Sequence, residues 1–461
     1  MGNYINHEVM VDKFTTTEVA GETFGGFKCD KYINSQPNAT AYNGLIDVAS
    51  DGAIGSVPGI SRLGIPVWKF IRLPSAMIAC CNKGKGYHLT TLYERASVAF
   101  LSQKLGTMPH GNNKNVNPPC DVTYTSEIGM LDKYEYVRSA GSYMMALPGT
   151  GPNTWAHNHL ASGIFDLNGL VCEWCMGLFL EAITGYARVL PSTDVTYTGS
   201  PYGRGTISGS GTATPTLTLD GVGINWKKEW TADAFNSMQV YIAEASGMIT
   251  ALNATPTAPG AGYAVDDVLT IGGGFGATCR VKTIDAGGGV LSVGLMHGGG
   301  GYTTGAGKAT TGGGDNNCTV NIITVNTANQ GAFFPIADTT ANTLILNASA
   351  NPPDGTATFV IVKRVATDIT SGMITGNKIL TLRNADADLK YFSIPLTSNA
   401  SGSSVYGTDG YWFDKTTEYD KAAFWGGAFN SGVGAGVFAL YLGTPPSYVS
   451  HDIGFRACKA L

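Results

Sequence analysis

The chain has 461 residues, enough for about three domains, and it contains 62 glycines and 20 prolines. Charged residues make up only 14% of it, which disfavours a helical bundle or coiled coil, because those need charged helix faces and few glycines. The formal net charge of -5 provides neither a basic footprint for nucleic acid nor a polybasic membrane anchor. We therefore expect a turn-rich, mostly β protein that binds no nucleic acid and inserts into no membrane. Short β-branched runs, such as residues 358–365 and 378–383, are predicted strands.

Two segments have the periodicity of amphipathic helices. Residues 92–105 place apolar side chains at helical spacing, with Thr90 or Thr91 available as a cap and Gly106 as the end. Residues 231–246 repeat this spacing. The sequence therefore predicts two helices among many strands.

A glycine-rich module lies between residues 251 and 325, because residues 260–314 alone hold 19 of the 62 glycines. It contains a repeat with a period of 39 residues, whose copies are Gly262-Tyr263 with Cys279 and Gly301-Tyr302 with Cys318. Two copies are too few for a solenoid, so we expect a small β-roll or paired hairpins with glycines in the tight turns.

The pentapeptide Ser-Gly-Met-Ile-Thr occurs twice, at residues 246–250 and 371–375. Since chance recurrence is improbable, we interpret the two copies as the borders of an insertion into one split domain. The predicted division is an N-terminal attachment segment (1–50), the first part of the split domain (51–250), a glycine-rich β insertion (251–328), its β-rich remainder (329–371) and the second part of the split domain (372–461).

The cysteine pattern indicates free thiols. Nine scattered cysteines form an odd set, which argues against a disulfide framework and favours synthesis in a reducing compartment. Cys172 and Cys175 form a single C-x-x-C motif without the second pair of ligands that a zinc site requires. We expect both to be small buried hydrophobic residues, and we predict no cofactor.

Three segments outside the insertion, residues 81–101, 154–180 and 426–461, carry a resemblance to a known family. In the last segment the matching framework is Gly426, Gly427, Phe429, Gly432, Ala435, Gly436, Phe438, Leu440, Leu442, Pro446, Ser447, Ile453, Gly454, Phe455 and Arg456. In the middle segment it is Gly163, Ile164, Asp166, Gly169, Val171, Glu173 and Trp174, with departures at Leu170 and Cys172. In this order the segments resemble the C-type-lectin-like fold of the formylglycine-generating-enzyme branch, in particular the variable proteins of diversity-generating retroelements and phage tail receptor-binding proteins.

The resemblance, which covers roughly residues 60–250 and 372–461, implies an α+β, mostly β fold. The C-type-lectin-like domain would be split by the glycine-rich all-β insertion. It also implies a phage or prophage tail protein, made in the bacterial cytoplasm and assembled into the virion. The implied partners are a host cell-surface protein or glycan, other tail proteins, and further copies of the chain in a homotrimer. Because Leu170 replaces a common Asn, we assign no calcium ion near Asp166 and Glu173.

The ligand-binding region is predicted at residues 422–456. From Ala422 to His451 there is no Asp, Glu, Lys or Arg, and aromatic residues alternate with small polar ones, as in an adaptable binding surface. In the related proteins a retroelement rewrites adenines in template Asn codons. Aligning the framework glycines leaves these candidate positions: Ala428, Phe429, Asn430, Ser431, Val433, Gly434, Tyr441, Gly443, Thr444, Tyr448, Val449, Ser450, His451 and Asp452. We expect Tyr441, Tyr448 and His451 at the surface, whereas Val437, Phe438, Leu440 and Leu442 form a core strand.

Two alternatives remain open at this point. A virion-associated glycan-degrading enzyme would use two carboxylates, such as Asp166 and Glu173, near His157 and His159. A structural lectin of the virion would have the same fold but a fixed site. The formylglycine-generating oxidase is disfavoured, since residues 426–442 lack its cysteine pair. We therefore predict a binding protein and no catalytic residues.

Overall fold

The computed structural model describes residues 6–41, 56–191, 201–210, 212–220, 230, 232–326, 331–347, 352–416 and 419–460. About 40% of the chain is strand and 9% is helix, which confirms the prediction of a mostly β protein. The helices are Leu73–Cys81 (α1), Leu92–Leu105 (α2) and Lys133–Arg138 (α3), and 3-10 turns span Asn153–Trp155 and Gly432–Gly434. Among the described residues, none of the helices is long and apolar enough to cross a membrane.

Residues 8–271 supply the first fourteen strands, of which the last two lie in the glycine-rich module. In chain order they are Glu8–Val11 (β1), Phe14–Thr15 (β2), Thr23–Phe24 (β3), Phe27–Asp30 (β4), Asn34–Ser35 (β5), Ile60–Ser61 (β6), Tyr87–Leu89 (β7), Cys172–Leu180 (β8), Tyr186–Val189 (β9), Tyr202–Ser208 (β10), Thr216–Leu219 (β11), Gln239–Ile242 (β12), Met248–Leu252 (β13) and Val268–Ile271 (β14). This count covers the described ranges only.

The remaining strands follow the same chain order. They are Phe275–Ile284 (β15), Val290–Gly300 (β16), Gly305–Thr311 (β17), Thr319–Asn326 (β18), Ala332–Thr339 (β19), Thr343–Leu346 (β20), Gly355–Asp368 (β21), Lys378–Leu382 (β22), Pro395–Asn399 (β23), Tyr411–Phe413 (β24), Lys421–Gly426 (β25), Gly436–Thr444 (β26), Ile453–Phe455 (β27) and Ala457–Ala460 (β28). The two strands predicted at 358–365 and 378–383 are confirmed as parts of β21 and β22.

Helix α2 is confirmed, and its ends follow local chemistry. The Thr91 hydroxyl accepts the Glu94 backbone N–H, while the Glu94 carboxylate accepts the Thr91 backbone N–H, so two otherwise unpaired donors are satisfied. Gly106 ends the helix in the left-handed region at φ 68°, a conformation that costs glycine little. Its buried face packs in the main core.

The helix predicted at residues 231–246 is wrong. Residues 232–237 form turns, and β12 follows instead of a helix. β12 is hydrogen-bonded on both sides, to β19 and to β21. Two flanking strands satisfy its backbone groups and bury Val240 and Ile242, so tertiary pairing overrides the helical spacing of the apolar residues.

The largest sheet has the strand order β10-β11-β20-β19-β12-β21-β9-β8-β25-β26-β24, with β27 beside β8. An additional pairing of β10 with β21 closes six of these strands into a ring around its own apolar core. The ring joins strands from residues 202–242 to strands from residues 332–362, across the predicted boundary at residue 250. The predicted domain boundaries stay predictions, but the structure keeps these two stretches in one unit.

The glycine-rich module is a six-stranded antiparallel sheet in the order β13-β18-β17-β14-β15-β16. Its two repeats interlock through their tyrosines. The Tyr263 hydroxyl of the first repeat accepts the Cys318 N–H of the second at 3.1 Å, and the Tyr302 hydroxyl donates to the Ile271 carbonyl at 2.7 Å. Each repeat therefore completes the hydrogen bonding of the other.

The repeated pentapeptide adopts two conformations. Its first copy leads into β13, whereas residues 371–375 form a turn. Gly247 and Gly372 both have a left-handed φ, 72° and 73°, so the glycine behaves alike in both copies. The difference between the two copies comes from strand pairing. In the first copy, Met248 and Ile249 pair with residues of β18.

The N-terminal strands are part of the main body. β4 lies between β1 and the last strand, β28, which in turn pairs with β7. Strand β4 therefore pairs directly with the C-terminal strand β28, and the attachment role proposed for residues 1–50 stays a prediction.

Candidate ligand-binding surface

The three segments that carry the family resemblance meet in one buried ion-pair cluster. Arg456 donates to both oxygens of Glu173, at 2.9 and 3.3 Å, and Arg95 of α2 lies 3.5 Å from the same carboxylate. Arg456 also donates to the carbonyls of Asp30 and Phe165, so each of its three guanidinium nitrogens donates a hydrogen bond. This cluster ties α2, β8 and the chain after β27 into one scaffold behind the predicted surface.

The fourteen predicted ligand-binding residues differ in exposure. Asn430, Val433 and Tyr448 are exposed, while Ala428, Phe429 and Gly434 are buried. The others, which are half-buried, are Ser431, Tyr441, Gly443, Thr444, Val449, Ser450, His451 and Asp452. The expected core residues Val437, Phe438, Leu440 and Leu442 are all buried, as predicted. Tyr448 therefore meets the expectation of a surface position, whereas Tyr441 and His451 are half-buried.

One aromatic cluster surrounds His451. Its imidazole stacks on the ring of Tyr143 at a centroid distance of 3.7 Å and an interplanar angle of 7°. Phe429 meets both rings edge-on, at 5.7 Å from Tyr143 and 5.9 Å from His451. Burial lowers the pKa of His451, against the opposing influence of the Asp452 carboxylate, so the imidazole is favoured in its neutral form.

A second aromatic cluster runs across the sheet in register. Trp412 of β24 lies beside Tyr441 of β26, and Tyr441 lies opposite Phe424 of β25. The row continues to Trp174 of β8, whose ring centroid is 4.0 Å from that of Phe424. Tyr448 reaches the same row at 6.5 Å from Phe424. The row is buried at the Trp174 end and partly exposed at Trp412 and Tyr441.

Tyr143 and Trp412 also belong to this surface and were not predicted from the sequence. Both are half-buried aromatic residues that contact predicted positions: Tyr143 stacks on His451, and the Trp412 ring lies against Gly434. The only available signal was the aromatic triplet at residues 411–413. Nothing in the sequence places Tyr143 beside a residue that is about 300 positions away, because the contact depends on how the loops pack.

Backbone hydrogen bonds hold the predicted segments in place. The Phe429 N–H donates to the Leu170 carbonyl, and the Gly432 N–H donates to the Asn113 carbonyl. The carbonyls of Gly434, Pro446, Ser450 and Asp452 accept N–H groups of Gly410, Leu73, Phe70 and Cys172. Main-chain bonds of this kind use only backbone atoms, so they do not require a particular side chain at the exposed positions of these segments.

Asp409 contacts the first residues of β26. Its carboxylate accepts the Phe438 N–H at 2.7 Å and occupies the space over Gly436, where a Cβ atom would lie 1.9 Å from Oδ1. This contact explains why the framework needs glycine at residue 436.

We expect Gly436→Ala to destabilise the protein by about 1–3 kcal/mol, because the added methyl group overlaps the Asp409 carboxylate. Urea unfolding of the variant and the parent would measure this. Gly287→Ala is the control, since its Cβ would make only an ordinary contact at 3.4 Å. Equal losses in both variants would contradict the explanation.

Three of the four residues considered for glycan cleavage, His157, Asp166 and Glu173, are buried, and His159 is half-buried. Asp166 and Glu173 are 1% and 2% exposed, and Glu173 is paired with Arg456. Burial raises the pKa of Asp166 to about 7 and lowers that of His157 to about 4. A polysaccharide chain could reach these groups only if the core opened. Among the residues that the structure describes, no group of three or more His, Cys, Asp and Glu side chains is placed to hold a metal ion.

Relatives do not constrain the role of this surface. No protein-family model matches the chain, and no curated protein matches it at a significant level. The surface is therefore interpreted from its own chemistry, which combines two aromatic clusters with small polar residues on segments anchored through the backbone.

Proposed function

We propose that the chain is a receptor-binding protein of a phage or prophage tail. Residues 422–456, on a C-type-lectin-like domain of the formylglycine-generating-enzyme branch, form a diversified surface that binds a host cell-surface protein or glycan. The protein is made in the bacterial cytoplasm and acts on the virion. A glycan-degrading enzyme and a lectin of fixed specificity are the competing functions.

The backbone anchoring of residues 429–452 is the observation that carries this proposal. A diversified surface needs positions whose side chains change while the fold is retained. The hydrogen bonds that the Phe429 and Gly432 N–H groups donate, and the one that the Ser450 carbonyl accepts, support such a surface, because they involve main-chain atoms only. The buried Arg456–Glu173 pair and the apolar strand β26 supply a constant scaffold behind them.

The chemistry of the surface supports a binding role. Tyr441, Tyr448 and His451 offer rigid rings with polar edges, and Asn430 and Ser431 add small hydrogen-bonding groups. Aromatic side chains of this kind supply contact area at low conformational cost. The absence of charged residues from 422 to 451 favours a ligand that is recognised through stacking and neutral hydrogen bonds.

The proposal is tested by substituting Tyr441, Tyr448 and His451 together with alanine. We expect binding to host cells to weaken at least about tenfold, because one central aromatic residue in an interface contributes about 2 kcal/mol. Labelled protein titrated onto host cells gives the Kd. Circular dichroism and the thermal unfolding midpoint show whether the variant keeps its fold.

The control removes a matched pair of rings elsewhere. His110 and Tyr124 stack at 3.6 Å and 9°, much as His451 stacks on Tyr143, but they lie outside the predicted surface. His110→Ala with Tyr124→Ala should leave the Kd unchanged. Equal binding by the parent and the triple variant would contradict the proposal.

The competing functions have their own signatures. Release of oligosaccharide from host polysaccharide by the parent protein would favour the enzyme. Protease or periodate treatment of the cells distinguishes a protein ligand from a glycan. An adenine-differing near-copy of the 3′ coding sequence beside a reverse-transcriptase gene would favour diversification over a fixed-specificity lectin.

We further propose that the chain works as a homotrimer attached to other tail proteins. Several copies on one tail would convert weak single contacts into avidity. Light scattering should give the mass of three chains, and a mass equal to one chain would contradict the trimer.

A further inference from the structure

Two buried cysteines face each other across the sheet formed by the two ends of the chain. Cys29 of β4 lies directly opposite Cys458 of β28 in an antiparallel pairing. Their side chains are 3% and 1% exposed, and both belong to the main core. Residues that are directly opposite in a sheet project to the same face, so the two thiols meet.

Backbone hydrogen bonds identify the type of pairing. The Arg456 carbonyl accepts the Thr90 N–H, and the Ala460 N–H donates to the Gly86 carbonyl. Both bonds are made to the β7 side. Every second residue of a strand directs its backbone N–H and C=O groups to the same neighbouring strand, so those of Cys458 also face β7. Cys458 and Cys29 therefore form a pair without hydrogen bonds between them.

The other strand gives the same result. The Lys31 N–H donates to the His7 carbonyl on the β1 side, so the polar groups of Cys29, two residues earlier, also face β1 and not β28. Opposite residues in such a pair have Cα atoms about 4.5 Å apart, the closer of the two antiparallel spacings. That separation lies within the range of about 4.4–6.8 Å that a disulfide spans.

None of the other seven cysteines lies directly opposite a cysteine in a sheet. Cys120 bridges to Lys114 and Ile128, and Cys318 precedes β18. Cys172 and Cys175 lie three residues apart on one strand and so project to opposite faces. Cys279 lies opposite Leu269 and Leu295, and Cys80 and Cys81 are consecutive residues of α1. Cys29 and Cys458 are thus the two cysteines whose positions in the sheet suit a disulfide bond.

We propose that Cys29 and Cys458 form a disulfide when the protein meets a low-molecular-weight disulfide such as oxidised glutathione, and that this bond locks β4 to the C-terminal strand β28. The thiolate of one cysteine attacks the glutathione disulfide, forms a mixed disulfide and releases one glutathione. The second thiolate then attacks the protein sulfur of the mixed disulfide and releases the other glutathione. The two protein thiols are oxidised, and glutathione disulfide is reduced to two thiols that take up the protons.

The burial of the two thiols determines when they can react. Burial and the neighbouring Cys29 thiol raise the pKa of Cys458 well above its ordinary value, so the thiolate is scarce in the closed sheet. Reaction therefore follows opening of β28 from β4. Once formed, the bond links the two central strands of the sheet, β4 and β28, and restricts the unfolded chain, so the oxidised protein unfolds at a higher denaturant concentration.

The experiment uses the purified full chain, incubated with oxidised or reduced glutathione. After alkylation of free thiols, digestion without reductant should yield one linked peptide that contains Cys29 and Cys458, lighter than the two separate peptides by two hydrogen atoms. The urea midpoint should rise in the oxidised sample. The peptide map of the parent protein decides the pairing even if a variant fails to fold.

Matched variants sharpen the test. Cys458→Ala should abolish both the linked peptide and the rise in the midpoint, whereas Cys80→Ala should retain them. A linked peptide between other cysteines, or complete conversion to glutathione adducts without a link, would overturn the proposal. An unchanged midpoint in the cross-linked parent would overturn the claim that the bond locks the sheet.

Discussion

Replacement of Arg456 by methionine is expected to lower the free energy of unfolding by about 3–5 kcal/mol. The guanidinium is 1% exposed and bonds the Glu173 carboxylate together with the carbonyls of Asp30 and Phe165. Without it, Arg95, at 3.5 Å, is the one cation left beside Glu173 among the described residues, and two buried carbonyl groups lose their donor. Urea unfolding followed by circular dichroism measures the loss.

The matched control is Arg280→Met in the glycine-rich module. Arg280 pairs with Asp266 at 3.2 Å, but the Asp266 side chain is 72% exposed. An ion pair of this kind contributes less than about 1 kcal/mol. If both arginine variants lost the same stability, the buried cluster could not be the scaffold described above.

The free energy of unfolding is expected to fall as the pH rises from about 4 to 7. Burial raises the pKa of Asp166, Glu244 and Asp409 to about 7 each. The folded protein holds these protons up to that pH, whereas the unfolded chain has already released them near the ordinary carboxyl values. Unfolding therefore releases protons, and a higher pH favours it, by up to about 1.4 kcal/mol per pH unit for each group.

Asp409→Asn isolates one of these groups. The amide oxygen can still accept the Phe438 N–H, but the residue no longer titrates. Urea unfolding at several pH values should show a shallower decline with pH than in the parent. Asp315→Asn is the control, because hydrogen bonds from the Asn317 and Ala261 backbone lower the pKa of Asp315 and place its titration below this window. Parallel pH profiles for the parent and Asp409→Asn would contradict the assignment.

Sequence patterns predicted the elements whose stabilising contacts lie within a few residues of one another. Helix α2 was predictable because Thr91, Glu94 and Gly106 act within a few residues of one another. The core strand β26 was predictable because its apolar run leaves no polar face. The same reasoning failed at residues 231–246, because apolar residues at helical spacing were buried equally well by a strand with two neighbours.

The candidate surface was only half predictable. The uncharged, aromatic stretch from 422 to 451 is visible in the sequence, and it contains Tyr441, Tyr448 and His451. The partners Tyr143 and Trp412 come from distant parts of the chain and have no signal of their own. The exposure of individual positions was also undetermined, since Ala428 and Phe429 turn inward.

Composition and local periodicity by themselves determined a mostly β chain, the helix α2, the glycine-rich module and the uncharged stretch near the C-terminus. Only the tertiary structure decided that Arg456 pairs with Glu173, that Trp412 stands beside Tyr441, and that Cys29 faces Cys458. The physical reason lies in the hydrogen bonds. A helix satisfies its backbone within four residues, whereas a strand takes partners from anywhere in the chain, and the choice of partner and register sets which side chains meet.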